Sequence, residues 1–176
     1  WVTQPHLRTV VDFLARNTAQ LGLHAFERQA DGGRQRLRGG VLAHLLLRPN
    51  SDMTTYELIE ALVSDLALYD NAYWLYVHGD SDDTHEIRPI APTWVKAVRG
   101  KTAYGVKSYV VRFPDTDSDV VIPAENIEHF HGWNPKNTIV GASPVTTLKE
   151  ILSEQIHAAR FRDQLWQRGG RVNAYV

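Results

Sequence analysis

Gly141-Ala142-Ser143-Pro144 marks the point where the chain passes from strand-forming to helix-forming sequence. A turn residue leads into a proline, whose fixed φ suits the first turn of a helix. The amphipathic run that follows ends at Gly169-Gly170. Its spacing predicts a helix from Pro144 to about Arg168, roughly 36 Å long at about 1.5 Å per residue. Val145, Leu148, Ile151, Leu152, Ile156, Ala158, Ala159 and Trp166 share one arc of that helix. In the second half Arg162 and Asp163 fall inside the arc, and Phe161 and Leu165 lie at its edge. Charges in an apolar stripe are costly when buried without partners. The first half is therefore expected to pack on its own domain and the second to meet another subunit.

Upstream of this run the periodicity is of two kinds. Before residue 70 it is helical. Leu7, Val10, Val11, Leu14, Thr18 and Leu21 form a stripe on a helix from about Pro5 to Leu21, which Gly22 ends. Leu23 to Glu27 reads as a short strand and Asp31 to Gly40 as a loop rich in glycine and arginine. Val41 to Leu47 is a short apolar helix stopped by Pro49-Asn50. Thr54-Thr55-Tyr56-Glu57 has the pattern of a capping box, with a hydroxyl three residues before a carboxylate. The helix it opens runs to about Leu68 and buries Leu58, Ile59, Leu62, Val63 and Leu66.

Asp70-Asn71 makes a turn, after which the chain reads as strands. These are Ala72–His78, Glu86–Ile90, Trp94–Arg99, Lys107–Phe113, Val120–Ile122 and Ile127–His131. Pro89 and Pro92 favour sheet edges or bends. The expected class is α+β: a meander-like, mostly antiparallel sheet of about six short strands flanked by helices, with a long C-terminal helix. Residues 1–176 read as one domain, with a helical part over 1–69, a β-rich part over 70–131 and the long helix over 143–169.

Composition bounds the function. The 176 residues are 43% hydrophobic and 22% charged, ordinary for a globular domain. There is no cysteine, so disulfides and thiolate metal sites are excluded. No apolar run approaches the roughly 20 residues of a membrane span, and no signal-peptide pattern opens the chain. The chain opens at Trp1 and stops in Arg171 to Val176, which reads as an entering strand, so a fragment of a longer protein is expected. The net charge of -1 is unevenly spread. Residues 1–50 hold seven Lys/Arg and three Asp/Glu, residues 51–135 six and fourteen, and residues 136–176 six and three. Basic ends around an acidic centre lack the basic stripe of a nucleic-acid-binding domain. They suit either plain solvation or head-to-tail contact between copies.

Chemistry-bearing patterns are sparse. His129 and His131 alternate on a strand and so share a face, the geometry of a two-histidine metal site. No spacing signature supplies a third ligand, and His78 and His85 sit near loops without convergence. Asp80-Ser81-Asp82-Asp83 and Asp115-Thr116-Asp117-Ser118-Asp119 alternate carboxylates but lack the glycine and terminal glutamate of a calcium loop. Gly39-Gly40 and Gly169-Gly170 lack the lysine and spacing of a phosphate loop. No serine has a nucleophile-elbow context. No catalytic, cofactor-binding or metal site is therefore assigned. Arg160, Arg162, Arg168 and Arg171 have three uses open to them: phosphate contact, subunit contact and solvation. Trp74 and Trp94 read as core residues, whereas Trp133 and Trp166 read as interface anchors. The expected subunit interface comprises Phe161, Arg162, Asp163, Leu165, Trp166 and Trp133.

Several short segments, taken in order, resemble the portal proteins of tailed bacteriophages, specifically the HK97-type portal family. Leu47-Arg48-Pro49-Asn50 followed by Met53-Thr54 and a helix is similar to that family's "PN…t" entry. Asp70-Asn71-Ala72-Tyr73-Trp74 resembles its "GNAY" segment, with Asp70 where the family usually has glycine. Pro89-Ile90-Ala91-Pro92-Thr93-Trp94-Val95 is similar to its "l.P..v" strand pair, and Ile127-Glu128-His129-Phe130 to its "i.Hf" strand. Gly132 to Pro144 ends in its "G.SP", although Asn134-Pro135-Lys136-Asn137 departs from the usual loop. Ala158-Ala159 through Phe161 to Gly169-Gly170 resembles its long helix closing on small residues.

The resemblance implies the wing portion of a structural subunit in a dodecameric ring at one capsid vertex, in the virion. Double-stranded DNA would pass through its channel during packaging and ejection. The terminase large subunit, the capsid and head-tail adaptor proteins are the partners it implies, with assembly in the host bacterial cytoplasm. It implies neither enzymatic activity nor a membrane. Two rivals are weighed against it: a metal-dependent enzyme using His129 and His131, and another virion head-tail adaptor protein of similar shape.

Overall fold

The computed structural model describes residues 4–79, 84–102 and 105–167. They divide into a unit ending at Ser143 and a second beginning at Pro144.

Helix α1, Pro5–Ala19, starts with proline in its first turn and packs on α3, Thr55–Tyr69. Its buried residues are Val11, Ala15 and Ala19, spaced four apart on the face toward α3. This shifts the expected stripe: Val10, Leu14 and Leu21 are exposed, together with Phe13. Alanines on the seam let the two backbones approach closely, and the larger apolar residues stand on the outer flank. An Arg16–Glu60 pair at 3.1 Å ties the exposed rim of the two helices.

Helix α3 begins as its sequence requires. The Thr54 hydroxyl accepts the Glu57 N–H at 3.3 Å, and the Glu57 carboxylate accepts the Thr54 N–H at 2.7 Å. The Thr54 N–H and the Thr54 hydroxyl, which also donates to the carboxylate at 2.9 Å, hold the Glu57 carboxyl below its usual range. The helix ends at Asp70, in the left-handed conformation at φ 57°. Before it, strands β1, Phe26–Arg28, and β2, Arg34–Arg36, pair as an antiparallel ribbon. The second strand lies within the stretch expected to be a loop: its polar residues gave no apolar alternation, and only pairing with β1 defines it. A short helix α2, Val41–Leu47, follows.

Six strands occupy the β-rich part, as expected: β3 (Asn71–Val77), β4 (Glu86–Ile90), β5 (Val95–Arg99), β6 (Ser108–Val111), β7 (Val120–Pro123) and β8 (Ile127–His131). They divide into two antiparallel sheets, ordered β4-β3-β8 and β5-β6-β7. The chain therefore leaves the first sheet after β4, builds the second, and returns to pair β8 with β3. Pro89 is accommodated because β4 is an edge strand, and Pro92 opens a 3-10 turn. Tyr73, Ile90 and Ile127 from the first sheet meet Tyr109, Val111 and Ile122 from the second in one buried cluster. Trp74 and Trp94, expected in the core, are partly buried, stacking edge-on against Phe130 and Phe113 respectively.

The second unit begins with α4, Pro144–Thr147, followed by α5, Lys149–Gln167, so the single helix expected from Pro144 is divided by a turn at Leu148. Among the described residues no helix is long and apolar enough to cross a membrane.

Candidate assembly site at the helix–strand junction

Asp70 and Asn71 join α3 to β3 and also hold a segment some seventy residues downstream. The Asp70 carbonyl accepts the Gly132 N–H at 3.1 Å, and its carboxylate accepts the Ala142 N–H at 2.9 Å. Asn71 is buried, and its amide nitrogen donates to the carbonyls of Tyr69 at 2.8 Å and Gly141 at 3.2 Å. Its side-chain oxygen accepts the Gly141 N–H at 2.9 Å and lies 3.1 Å from His129 Nε2. All four hydrogen-bonding positions of the amide are thus used. The Ser143 hydroxyl donates to the Leu68 carbonyl at 2.5 Å. The run Gly141-Ala142-Ser143 is therefore bound along its length to the end of α3 and to Asn71, immediately before α4 begins.

Two glycines make the approach possible. A Cβ at Gly132 would collide with the Asp70 carboxylate, and one at Gly141 with the Asp70 backbone carbonyl. Sequence reasoning placed a turn at Asp70-Asn71 but missed the bridging role of Asn71. The available signal was an asparagine buried at the mouth of an apolar strand, where an unpaired amide would be costly.

His129 and His131 do stand near each other, with ring centroids 4.9 Å apart. Both nitrogens of His129 have partners: Nε2 donates to Asn71, and Nδ1 faces the Tyr109 hydroxyl at 3.4 Å. The ring stacks on Tyr73 with centroids 4.2 Å apart. Burial, with a smaller contribution from His131, pushes its pKa down to about 4. His131 turns its Nδ1 to the Gly132 carbonyl at 3.0 Å. The pair braces β8 against the junction, and among the described residues no three His, Asp or Glu side chains gather as a metal site.

The other candidates are dispersed. His85 Nδ1 lies 3.0 Å from the Tyr76 hydroxyl, and His78 Nε2 lies 3.2 Å from Asn126 Oδ1. Asp119 pairs with Arg112 at 2.7 Å. Asp80, Ser81, Asp82, Asp83, Arg168 and Arg171 lie outside the described residues. Trp133 is 81% exposed in the loop before Gly141. On α5, Phe161 and Trp166 are 63% and 79% exposed, Arg162 and Asp163 are exposed, and Leu165 is half-buried. Asp163 accepts from the Gln167 side chain at 3.0 Å, one helical turn on. The junction thus holds a connection in place and offers no activated nucleophile or acid–base pair; large apolar side chains stand uncovered on either side of it in sequence.

Comparison with known proteins agrees with this architecture. A chain in the neck of an empty gene transfer agent particle, computed with C6 symmetry, superposes with a TM-score of 0.75 at 20% identity. The match covers 96% of this chain and 43% of that one. The neck of the native particle, computed with C12 symmetry, gives a TM-score of 0.69 at 18% identity over 97% of this chain and 42% of that one. The virion of the native gene transfer agent gives 0.68 at 18% identity with the same coverage, 97% and 42%. The chain spans about two-fifths of the length of these solved chains, with which it shares the fold. No curated protein matches it. A family model described as phage portal protein matches residues 5–176, so the chain belongs to the phage portal protein family.

Proposed function

We propose that the chain is part of a structural, non-enzymatic subunit of a portal ring in a phage or phage-like virion. The observation that carries this reading is the family match over nearly the whole chain. The fold shared with chains of particle necks, one of them computed with C12 symmetry, supports it.

On this reading, copies meet through different faces of the same domain, a heterologous contact that closes into a ring by rotation. Twelve copies surround a channel for double-stranded DNA at one capsid vertex. The terminase large subunit, the capsid and head-tail adaptor proteins are its partners, and assembly takes place in the host cytoplasm. The exposed Trp133, Phe161 and Trp166 and the half-buried Leu165, with Arg162 and Asp163 among them, supply subunit contacts: aromatic anchors flanked by charges are the composition of an interface rather than of a solvated helix.

Electron microscopy of the purified full-length protein tests this. Twelve-fold rings with a central channel are expected, and a protein that stays monomeric at high concentration would overturn the proposal.

A further inference from the structure

The β1–β2 ribbon carries an exposed arginine-rich face that meets no carboxylate among the described residues. In its register Phe26 faces Arg36 and Arg28 faces Arg34. Cross-strand partners share a face, as do residues two apart on one strand, so these four side chains stand together, with Glu27 and Gln35 on the other side. All six ribbon residues are exposed. A shallow concavity of about 340 Å³ is lined by Phe26, Arg28, Gly32 and Arg34. Among the described residues none of these arginines has a carboxylate partner; Arg36 reaches only His24 Nδ1, at 2.8 Å. Like charges directly opposite each other weaken a strand pair, and a two-stranded ribbon alone is marginal. An anionic partner would relieve both.

The complement exists elsewhere on the same chain. Residues 51–135 hold fourteen Asp/Glu against six Lys/Arg, while residues 1–50 hold three against seven. Within the acidic part, the β6–β7 loop exposes Asp115 and Asp117, and among the described residues neither is in an ion pair. It leads directly into β7, an edge strand whose Val121 is 51% exposed. The ribbon sets an aromatic among arginines, and the loop and edge set exposed aspartates ahead of an exposed valine.

We infer that the arginine face of the ribbon docks on the Asp115–Asp117 loop and β7 edge of a second copy of this chain. This deepens the proposed ring reading by naming a contact that would run head-to-tail from copy to copy. A head-to-tail contact leaves one free ribbon and one free loop at the two ends of the assembly, so the same pairing repeats until a ring closes.

Two charge-reversed variants test it. The first carries Arg28→Glu, Arg34→Glu and Arg36→Glu; the second carries Asp115→Arg and Asp117→Arg. All positions are exposed, so circular dichroism should match that of the unaltered chain, and a variant that fails this check is replaced by its glutamine or asparagine counterpart. Association is followed by sedimentation velocity at about 50 mM and 500 mM salt. The unaltered chain should associate at low salt and weaken at high salt, and each variant alone should associate roughly tenfold or more weakly. Mixed together, the variants should recover association, because each ribbon then finds an oppositely charged loop only on the other variant. Native mass spectrometry should show the two alternating.

The inference is overturned if the unaltered chain does not associate, if either variant associates like it, or if the mixture does not recover. A loss of binding to a short duplex DNA on ribbon reversal, with association unchanged, would overturn it in favour of a nucleic-acid contact. Recovered association without closed rings in micrographs would keep this contact and count against the ring reading alone.

Discussion

The Asp70 carboxylate accepts the Ala142 N–H at 2.9 Å, fastening the end of α3 to a residue 72 positions later. Asp70 sits at φ 57°, where glycine is the usual occupant and aspartate is better tolerated than most side chains. The aspartate therefore supplies what a glycine would lack: a carboxylate within reach of the segment that leads into α4. The junction's stability should follow from both properties separately.

Asp70→Ala removes the acceptor and leaves a β-carbon at positive φ. It should cost about 2 kcal/mol, roughly half from each effect. Asp70→Asn keeps an acceptor oxygen and tolerance of the left-handed region, and should cost less than half as much. Urea titrations of the three proteins measure the difference; no greater loss for Ala than for Asn, with both near zero, would show that the carboxylate's bond to Ala142 is immaterial.

Gly141→Ala places a methyl group against the Asp70 backbone carbonyl, which has no rotamer to escape into. A loss of about 1–3 kcal/mol is expected. Gly39→Ala, where an added Cβ meets nothing within 4 Å, is the control and should change stability by less than about 0.5 kcal/mol. Thermal melts of both variants decide whether the close approach at Gly141 is real.

His129 and Asp65 give stability opposite slopes with pH. Burial holds the His129 pKa down at about 4. Between about 6.5 and 4 the unfolded chain binds the proton that the folded chain refuses, so the His129 contribution is full above pH 6.5 and is lost as pH falls toward 4. Burial raises the Asp65 carboxyl to about 7. Its contribution is full below pH 4 and is lost as pH rises toward 7. Partial exposure of each group limits the effect to roughly 2 kcal/mol. Asp65→Asn should therefore stabilise the chain at pH 8 and leave it nearly unchanged at pH 4. His129→Gln should flatten the acid limb below pH 6.5. Denaturation midpoints across pH 4–8 read both, and parallel profiles for all three proteins would contradict the assignment.

Phe161→Ser with Trp166→Ser removes two exposed aromatic rings from α5. Folding stability should change by less than about 1 kcal/mol in total, since neither side chain is buried. Ring assembly of the full-length protein should fall sharply, because aromatic anchors carry much of an interface's energy. Size-exclusion chromatography of the double variant separates the two effects.

Much of the fold was legible because local patterns and tertiary packing agree. Thr54 and Glu57 announce a helix start whose bonds are all within four residues. The six strands from Asn71 to His131 follow the alternation of their apolar residues and the position of their turns. Residue content misled where partners matter. On α1 the larger apolar residues appeared to define the buried stripe, yet Ala15 and Ala19 make the seam because only a facing helix decides which side is covered. Ribbon β2 has no apolar alternation, so its pairing with β1 left no mark in its composition.

The candidate site divides along the same line. Sequence alone determined the α+β class, the capped α3, the turn at Asp70-Asn71 and the helix start at Pro144, all set by dihedral preference and short-range hydrogen bonds. The order of short motifs also pointed to the portal family. Only the tertiary structure decided that β8 returns to β3, that Asn71 satisfies all four of its bonds by joining the end of α3 to two distant segments, and that His129 is a neutral brace. Those depend on the His129 ring and the Gly141 backbone arriving at Asn71 from 58 and 70 residues away. A side chain's hydrogen-bonding capacity is written in its identity, but its partners are chosen by how the chain closes.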